Sequence, residues 1–280
     1  MSPTPKKAGV VGWPLAHSLS PVMHRYWLRE NNIDGSFEPV PIQPQEFSMK
    51  KLNALARKGF TGVNVTVPHK QRAYKFAHET DVAAEMAGAA NLLVFHNNGR
   101  IEASNTDIFG LQESLKSVPL KTKSVAILGA GGAARAAVIA LSNAGVGKIH
   151  ILGRDRQRVG ALALELQQKI RSDLVPGVFG DWPNLAGGVA LLLNATNGGM
   201  KGAEPLLISL DGLPKSAVVY DVVYNPLETE LLKDAKARGH KTINGLDMLM
   251  HQAVPSFEAF FGVRPKVTPG LRAALEQALS

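Results

Sequence analysis

A lysine directly after a predicted buried strand is the residue best placed for chemistry. From residue 63 to residue 67, valine alternates with a polar residue, which is the period-two pattern of a β-strand. Pro68 cannot donate to a sheet ladder, so we expect the strand to end there and to leave Lys70 at its carboxyl end. Ligands bind at that edge of open α/β sheets. Lys70 could therefore hold and protonate an oxygen-rich substrate, beside the hydroxyl of Thr66 and the amide of Asn64, or be an ordinary surface lysine.

Two serines lie on a predicted strand-to-helix loop. Residues 8–13 are typical of a short strand, and Ser20 followed by Pro21 is typical of a helix start, with serine as the cap and proline at the first helical position. The hydroxyls of Ser18 and Ser20 could meet a polyol there. The alternative is that Ser20 only caps the helix and Ser18 faces water.

An aspartate follows a predicted hairpin. Strands over 88–95 and 100–104 flank an Asn-Asn-Gly turn, and Asn91 lies at the start of the first strand. Asp107 precedes a predicted helix over 108–115, where capping is the default role of an aspartate. The remaining N-terminal segments predict a strand over 37–42, a helix over 46–57 and one alanine-rich helix over 69–86.

A glycine-rich turn between a strand and a helix indicates dinucleotide binding. The strand is predicted over 125–128 and the helix over 135–143. Gly129 permits the tight turn, Gly131 lets backbone N–H groups approach a pyrophosphate, and small Ala133 permits close helix packing. This order of elements is that of a Rossmann-type domain.

The residues after the next strand, 148–152, bear on which cofactor is bound. A site that prefers NAD places an acidic residue directly at this strand's end. Here Gly153 and Arg154 occupy the end, and Arg158 follows one helical turn later. Two guanidinium groups favour a 2′-phosphate and hence NADP. Two roles are open to Asp155, which can cap the following helix or point at the ribose and repel the phosphate.

Later segments continue the alternation of strands and helices. We expect strands over 189–194, 217–223 and 241–243, helices over 228–238, 245–261 and 271–278, and a return of the last two helices to the first domain.

Composition limits the remaining function classes. The 280 residues are 45% hydrophobic and 19% charged, contain no cysteine, and carry a formal net charge of +8. Their basic residues are scattered, so we expect no nucleic-acid partner. Apolar runs are too short to span a membrane, and the lack of cysteine fits a cytoplasmic protein. The eight histidines form no ligand cluster, so we expect no metal.

Eight separated motifs together give the chain a resemblance to shikimate dehydrogenase, within the shikimate/quinate dehydrogenase superfamily, along essentially its whole length. The motifs are Ser18-Leu19-Ser20-Pro21 with His24, residues 62–68 with Lys70, Gly88-Ala89-Ala90-Asn91, Asn105-Thr106-Asp107, residues 129–134, Asn194-Ala195-Thr196, Asp221 through Pro226, and residues 245–249 with Gln252.

The resemblance implies an α/β fold with two α/β domains. A substrate-binding domain over 1–106, completed by helices from 245–280, would accompany a Rossmann-type NADP-binding domain over 107–244. The active site would lie in the cleft between them. His17, His24 and His69 lie close to the motifs and are interpreted as packing or orienting residues.

The resemblance also implies the NADPH-dependent reversible reduction of 3-dehydroshikimate to shikimate, in aromatic amino-acid (chorismate) biosynthesis. Lys70 and Asp107 would be the catalytic pair. Ser18 and Ser20 would bind the substrate carboxylate. The substrate hydroxyls would be bound by Thr66, Asn91 and Gln252, with Tyr224 nearby. Cofactor contacts would come from Gly129, Ala130, Gly131, Gly132, Ala133, Arg154, Arg158, Thr196, Val222, Gly245 and Met248.

Three positions depart from the family's usual pattern. Leu92 follows Asn91 where threonine is common, and Gly153 and Asp155 replace asparagine and threonine on either side of Arg154. The last two bear on cofactor selectivity. A catabolic quinate/shikimate dehydrogenase that uses NAD is therefore an alternative, and a non-catalytic sensor of a shikimate-like ligand is another. The enzyme would be a monomer or a homodimer.

Overall fold

A computed structural model of the chain describes residues 5–16 and 18–279. These residues divide into two compact units. One comprises the described residues up to Asp107 together with Met250–Ala278, and the other comprises Ile108–Leu249 with Leu279. The chain returns to the first unit between Leu249 and Met250, inside the helix Gly245–Phe261. The domain boundary was predicted at residue 245, where that helix begins. The assignment of 1–106 with 245–280 and of 107–244 to separate domains stays a prediction.

The described residues of the first unit form a six-stranded mixed sheet. Its strands are β1 (Lys6–Gly12), β2 (Gly35–Pro41), β3 (Phe60–Val65), β4 (Glu79–Thr80), β5 (Leu92–Phe95) and β6 (Ile101–Ser104). They lie in the order β2-β1-β3-β5-β6-β4, with β1 parallel to β2 and β3, and β5 antiparallel to β3 and β6. The helices are α1 (Ser20–Glu30), α2 (Met49–Arg57), α3 (Lys70–Phe76), α4 (Val82–Ala87) and, starting at the end of this unit, α5 (Asp107–Leu115).

The second unit is a parallel, doubly wound sheet. The described residues give the strands β7 (Ser124–Leu128), β8 (Lys148–Gly153), β9 (Asp173–Val178), β10 (Leu191–Asn194), β11 (Val218–Asp221) and β12 (Lys241–Ile243). The helices are α6 (Gly132–Asn143), α7 (Arg156–Gln167), α8 (Trp182–Leu185) and α9 (Glu230–Ala237). The strand order is β12-β11-β10-β7-β8-β9. The order reverses between β7 and β10, which is the position where such sheets bind dinucleotides.

Two further helices follow the second sheet, α10 (Gly245–Phe261) and α11 (Pro269–Gln277). The part of α10 from Met250 onward and all of α11 belong to the first unit. A side chain at Gly62 of β3 would lie 2.6 Å from the ring of Phe260, so glycine there lets α10 pack directly on the sheet. The neighbouring Val63 joins the core on the opposite face, together with Leu52 of α2. The fold class, two α/β units of which the second is Rossmann-type, is confirmed.

The prediction of one helix over 69–86 was wrong. The segment contains α3, the short strand β4 and α4. Ala77 is extended, with φ −73° and ψ 147°, which ends α3. Asp81 then caps α4 by accepting a hydrogen bond of 2.7 Å from the N–H of Ala84. The alanine-rich composition favours helix but gives no sign of this break, which the pairing of β4 with β6 stabilises.

The predicted strand 63–67 was too long at its end. β3 stops at Val65, and the side chain of Val67 is 67% exposed rather than part of the core. The backbone of Val67 still pairs with the residue that follows β1, since its carbonyl accepts the N–H of Trp13 at 3.0 Å. The restriction that Pro68 places on its predecessor favours an extended Val67 but does not turn its side chain inward.

The strand β9 was not predicted. It contains Pro176 and Gly177, two residues that disfavour a strand assignment, and it lies at the edge of its sheet, where proline is tolerated.

Within the described residues, no helix combines the length and the apolar character that crossing a membrane requires.

An uncharged histidine is part of the aromatic core of the first unit. His24 is fully buried, its ring stacks on Phe37 at a centroid distance of 3.8 Å, and it packs edge-on against Trp27. Neither ring nitrogen has a hydrogen-bond partner. Burial without a partner disfavours the charged form and lowers the pKa of His24 to about 3. The interpretation of His24 as a packing residue therefore agrees with its surroundings, while His17 lies outside the described residues.

His24 makes the folded protein sensitive to acid. The unfolded chain takes up a proton at the ordinary pKa of 6.5, while the folded chain resists it until the pH approaches 3. The stability that neutral His24 contributes is therefore complete above pH 6.5 and is lost as the pH falls below it. We predict that wild type loses up to about 1.4 kcal/mol more per pH unit than His24→Phe in the free energy of unfolding between pH 6.5 and 4.

The measurement is urea denaturation of both proteins at several pH values. His96→Phe makes the same replacement on an exposed side chain and is the control. Parallel pH dependences for wild type and His24→Phe would contradict the assignment of a neutral, buried imidazole.

Candidate active site

A lysine–aspartate pair lies at the carboxyl edge of the first sheet. Lys70 is the first residue of α3 and Asp107 is the first residue of α5. The distance from Lys70 Nζ to Asp107 Oδ2 is 2.5 Å. The lysine side chain is 22% exposed and the aspartate side chain 6%, so the ammonium group is reachable while its partner is buried. A positioned ammonium group of this kind can donate a proton to a substrate oxygen and stabilise negative charge on it.

Asn91 connects the pair to its surroundings. It is 3% exposed and directly precedes β5. Its Nδ2 donates to Asp107 Oδ1 at 2.9 Å and lies 3.0 Å from Thr106 Oγ1, and its Oδ1 accepts the N–H of Thr106 at 2.7 Å. Gln252 of α10 reaches the same group, with Oε1 3.3 Å from Asn91 Nδ2. Four predicted site residues, Lys70, Asn91, Asp107 and Gln252, are thus brought together within one unit.

Asp107 does not use its side chain as a simple helix cap. Its two carboxylate oxygens are bound by Asn91 and Lys70, while its own N–H is accepted by Asn105 Oδ1 at 3.1 Å. Asn105 therefore accepts the N–H at the helix start, and the carboxylate of Asp107 is available to bind Lys70.

Three residues that were not among the predicted catalytic and binding residues support this network. Asn64 Nδ2 donates to Ser256 Oγ at 2.7 Å and to the carbonyl of Asn91 at 3.2 Å. Ser256 lies one helical turn after Gln252 on α10, so these bonds link the helix that carries Gln252 to the strand that precedes Lys70. A polar residue at a buried strand position was the available signal for Asn64, and its motif was the signal for Thr106. Nothing in the sequence marked Ser256.

The two serines lie at the start of α1, but the predicted cap was wrong. Helix α1 begins at Ser20, and Leu19 is the N-cap residue without a side-chain cap bond. Leu19 is already helical, with φ −81° and ψ −9°, which moves the start one residue earlier. Ser18 Oγ accepts the N–H of Ser20 at 3.4 Å instead. Both serines are half-buried.

Thr66 and Tyr224 are placed separately. Thr66 directly follows β3, is half-buried, and donates its N–H to the carbonyl of Val11 at 2.8 Å. Its methyl group lies 2.3 Å from where a Cβ on Gly12 would be, so glycine leaves room for it. Tyr224 belongs to the second unit, where burial raises the pKa of its phenol. The nearness of these residues and the two serines to one bound substrate stays a prediction.

His69, next to the lysine, is buried and packed against its neighbours. Its ring stacks on Phe47 at a centroid distance of 4.3 Å, and its Nε2 lies 2.7 Å from the carbonyl of Ile42. Burial lowers the pKa of His69, which favours the neutral ring. Among the residues that the structure describes, no group of three or more histidine, cysteine, aspartate or glutamate side chains could hold a metal ion.

The glycine loop of the second unit fits a dinucleotide pyrophosphate. Gly129 has φ +116°, a conformation that favours glycine, and a Cβ there would lie 3.0 Å from the carbonyl oxygen of Ala195. A Cβ at Gly131 would meet no atom within 4 Å, so the backbone is approachable at that point. Helix α6 begins directly afterwards at Gly132, which directs its first N–H groups to the loop. Ala130 and Ala133 are half-buried in the same turn.

The loop after β8 leaves two exposed arginines and one occupied aspartate. Asp155 Oδ1 accepts the N–H groups of Gln157 at 2.9 Å and Arg158 at 3.1 Å, so it caps α7. Arg154 and Arg158 are exposed. A Cβ at Gly153 would lie 2.6 Å from Val159 Cγ2, so glycine permits close packing of α7 on β8. These two departures from the family pattern thus have structural reasons.

The remaining predicted cofactor residues follow the strands β10, β11 and β12. Thr196 donates its N–H to Asn194 Oδ1 at 2.9 Å. Val222 and Gly245 are adjacent, because a Cβ at Gly245 would lie 2.0 Å from the carbonyl oxygen of Val222. Met248 is 9% exposed, one turn into α10.

The sequence of this chain matches known protein families over most of its length. A family model described as the shikimate dehydrogenase substrate binding domain matches residues 10–93, and one described as shikimate / quinate 5-dehydrogenase matches residues 111–176. A relative named shikimate dehydrogenase (NADP(+)) from Paramagnetospirillum magneticum is 44% identical over 280 residues, covering 98% of this chain and 99% of the relative. The chain belongs to the shikimate dehydrogenase family.

Solved structures agree with that membership. Shikimate 5-dehydrogenase from Thermus thermophilus, in complex with NADP(H) and shikimate, has a TM-score of 0.85 at 34% identity and matches over 98% of this chain and 99% of its own. Quinate dehydrogenase from Corynebacterium glutamicum, in complex with NAD, has a TM-score of 0.88 at 30% identity over the same shares of the two chains. The fold of the family therefore does not by itself separate the two substrates or the two cofactors.

The geometry around Asn91 gives a stability prediction. Replacing Asn91 by alanine leaves the buried N–H of Thr106 and one oxygen of Asp107 without their partner. We predict a loss of about 2 kcal/mol in the free energy of unfolding, measured by urea denaturation. Asn97→Ala, on the exposed hairpin turn, is the control, with an expected change within about 0.5 kcal/mol. Equal effects of the two substitutions would show that Asn91 is not a structural centre of the site.

Proposed function

We propose that this chain catalyses the reversible NADP-dependent reduction of 3-dehydroshikimate to shikimate, a step of aromatic amino-acid (chorismate) biosynthesis. The observation that carries the proposal is the Lys70–Asp107 pair at 2.5 Å, in a chain that matches relatives named shikimate dehydrogenase (NADP(+)) over its full length. The protein is thus an oxidoreductase acting on a CH–OH group.

The chain's own part in the reaction concerns the carbonyl oxygen. Bound NADPH supplies the hydride that adds to the carbonyl carbon. Lys70 Nζ donates a proton to the oxygen as negative charge develops there, and takes it back in the oxidative direction. Asp107 holds the lysine in place through its Oδ2, while Asn91 fixes the other carboxylate oxygen. A buried carboxylate with one charged partner keeps that partner in a single position.

The substrate is bound by hydroxyl and amide side chains. In the proposal, Ser18 and Ser20 hold its carboxylate, and Thr66, Asn91 and Gln252 bind its hydroxyls, with Tyr224 nearby. The support is the position of the serines at the start of α1 and the hydrogen bonds of Asn91 to both Gln252 and Asp107. Neutral donors of this type suit a small polyhydroxylated carboxylate.

In the proposal, the two halves of the cofactor are bound by different loops of the second unit. Residues 129–133 bind the pyrophosphate, and Arg154 and Arg158 bind the 2′-phosphate of NADP. At the other end, Thr196, Val222, Gly245 and Met248 lie along the nicotinamide. The capping role of Asp155 supports NADP over NAD, because a carboxylate occupied with the helix N–H groups does not point at the ribose.

The principal alternative is an NAD-linked quinate/shikimate dehydrogenase. Its support is the similarity of this chain to the quinate dehydrogenase from Corynebacterium glutamicum. A non-catalytic sensor is disfavoured by the presence of both members of the pair. As for its setting, we propose a cytoplasmic monomer or homodimer that acts on small molecules and binds neither nucleic acid nor membrane.

Lys70→Ala tests the catalytic assignment. We predict that kcat for shikimate oxidation with NADP falls by about a thousandfold, because proton transfer and charge stabilisation are both lost. Shikimate affinity, measured by calorimetry, should change far less, because the other binding groups remain. The control is Lys75→Ala, which removes an exposed lysine from the same helix. A near-normal kcat in Lys70→Ala would contradict the assignment, and a wild type that does not turn over shikimate with NADP would overturn the proposed function.

A further inference from the structure

A fully buried carboxylate lies at the end of β11 in the second unit. Asp221 is 0% exposed. Its Oδ1 accepts hydrogen bonds from Asn194 Nδ2 at 2.9 Å and from the N–H of Val223 at 3.0 Å, and its Oδ2 accepts one from Thr229 Oγ1 at 2.7 Å. Burying a carboxylate is costly unless several donors bind it, and these three donors come from three different segments. The side chain therefore ties those segments together.

The bond to Asn194 extends the effect to a neighbouring turn. Asn194 is also 0% exposed, and its Oδ1 accepts the N–H of Thr196 at 2.9 Å and the hydroxyl of Thr196 at 2.7 Å. Thr196 Oγ1 in turn accepts the N–H of Gly198 at 3.0 Å, and Asn194 Nδ2 lies 3.2 Å from the carbonyl of Gly198. Asp221 thus determines which way the Asn194 amide faces, and the amide determines the shape of residues 194–198.

The same carboxylate supports a second strip of backbone. Its bond to the N–H of Val223 holds the residues after β11, and the carbonyl of Val223 accepts the N–H of Gly245 at 3.1 Å. Val222 and Gly245 are packed so closely that no side chain fits between them. Three of the four residues that we assign to the nicotinamide, Thr196, Val222 and Gly245, are therefore on backbone that Asp221 fixes.

The adenosine end of the proposed site depends on other groups. Arg154 and Arg158 follow β8, and their loop is capped by its own aspartate, Asp155. None of the hydrogen bonds described above for Asp221 and Asn194 reaches that loop. The two ends of the cofactor site can therefore be perturbed separately.

We propose that Asp221 is a positioning residue for the nicotinamide half of the cofactor site, acting through Asn194 and the backbone of residues 222–223. The proposal rests on the NADP-dependent function proposed above. Because Asp221 is fully buried, it acts through those groups and not by contact with the cofactor. A merely structural role would be served as well by an apolar core residue, since buried polar networks commonly add little net stability over well-packed apolar groups.

The test compares the binding of two ligands to wild type and four variants by calorimetry. NADPH occupies both ends of the site, while adenosine 2′,5′-bisphosphate occupies only the adenosine end. We expect Asp221→Ala to raise the Kd of NADPH by about tenfold or more and to leave that of adenosine 2′,5′-bisphosphate within about twofold, because a buried hydrogen-bond network loses its central acceptor. Arg154→Ala is the matched control, and it should weaken both ligands.

Asp221→Asn distinguishes positioning from charge. An asparagine can still accept from Asn194 and Val223 and can donate to Thr229, whose hydroxyl is free to rotate. We therefore expect Asp221→Asn to recover most of the NADPH affinity that Asp221→Ala loses. An unchanged NADPH affinity in Asp221→Ala, or an equal loss for both ligands, would overturn the proposal.

Thr229→Val decides the matter if Asp221→Ala does not fold. It removes one of the three donors and keeps the shape of the side chain, so a smaller loss confined to NADPH is expected, and no loss would overturn the proposal. The two proposals fail differently. A wild type that binds no NADPH would overturn both, whereas a wild type that turns over shikimate with NADP, beside variants that bind NADPH normally, would overturn only the role of Asp221.

Discussion

The proposed active site depends on how one buried carboxylate is satisfied. Asp107 is almost inaccessible to water, so both of its oxygens need donors from the chain. Asn91 supplies one and Lys70 the other. Satisfying Asp107 in this way requires three segments to meet: the end of β3 with α3, the residues before β5, and the start of α5. Lys70, which we propose as the proton donor, is held in position by Asp107, and Asp107 is held in turn by Asn91.

The second unit repeats the principle with a different outcome. Asp221 is buried more completely than Asp107, and its partners are neutral. Burial raises the pKa of Asp221 to about 6, although the hydrogen bonds from Thr229, Val223 and Asn194 act in the opposite direction. In our proposals, the carboxylate with a charged, reachable partner assists proton transfer, whereas the carboxylate with only neutral, buried partners holds a loop in one shape.

The sequence predicted those parts of the molecule that local rules determine. Gly129 was expected because a tight turn needs a positive φ, and the hairpin around Gly99 was expected from its turn residues. The Lys70–Asp107 pairing, in contrast, came from a resemblance, because the two residues are 37 positions apart and no local rule brings them together. Ser256 could not be predicted, since its importance comes from packing with Asn64 across 192 positions. The break at 77–81 depended on pairing between β4 and β6, which helix propensity does not contain.

The most direct test of the proposed function is a comparison of kcat/KM for four substrate pairs, shikimate and quinate each with NADP and with NAD, followed by the absorbance of the reduced nicotinamide. We predict that shikimate with NADP gives the highest value. The preference for NADP is expected because Arg154 and Arg158 are exposed after β8 while Asp155 is occupied as a cap. A higher value for quinate or for NAD would contradict it and assign the chain to the catabolic branch of the family. Ligand binding with no turnover of any of the four pairs would contradict the proposal that the protein is an enzyme.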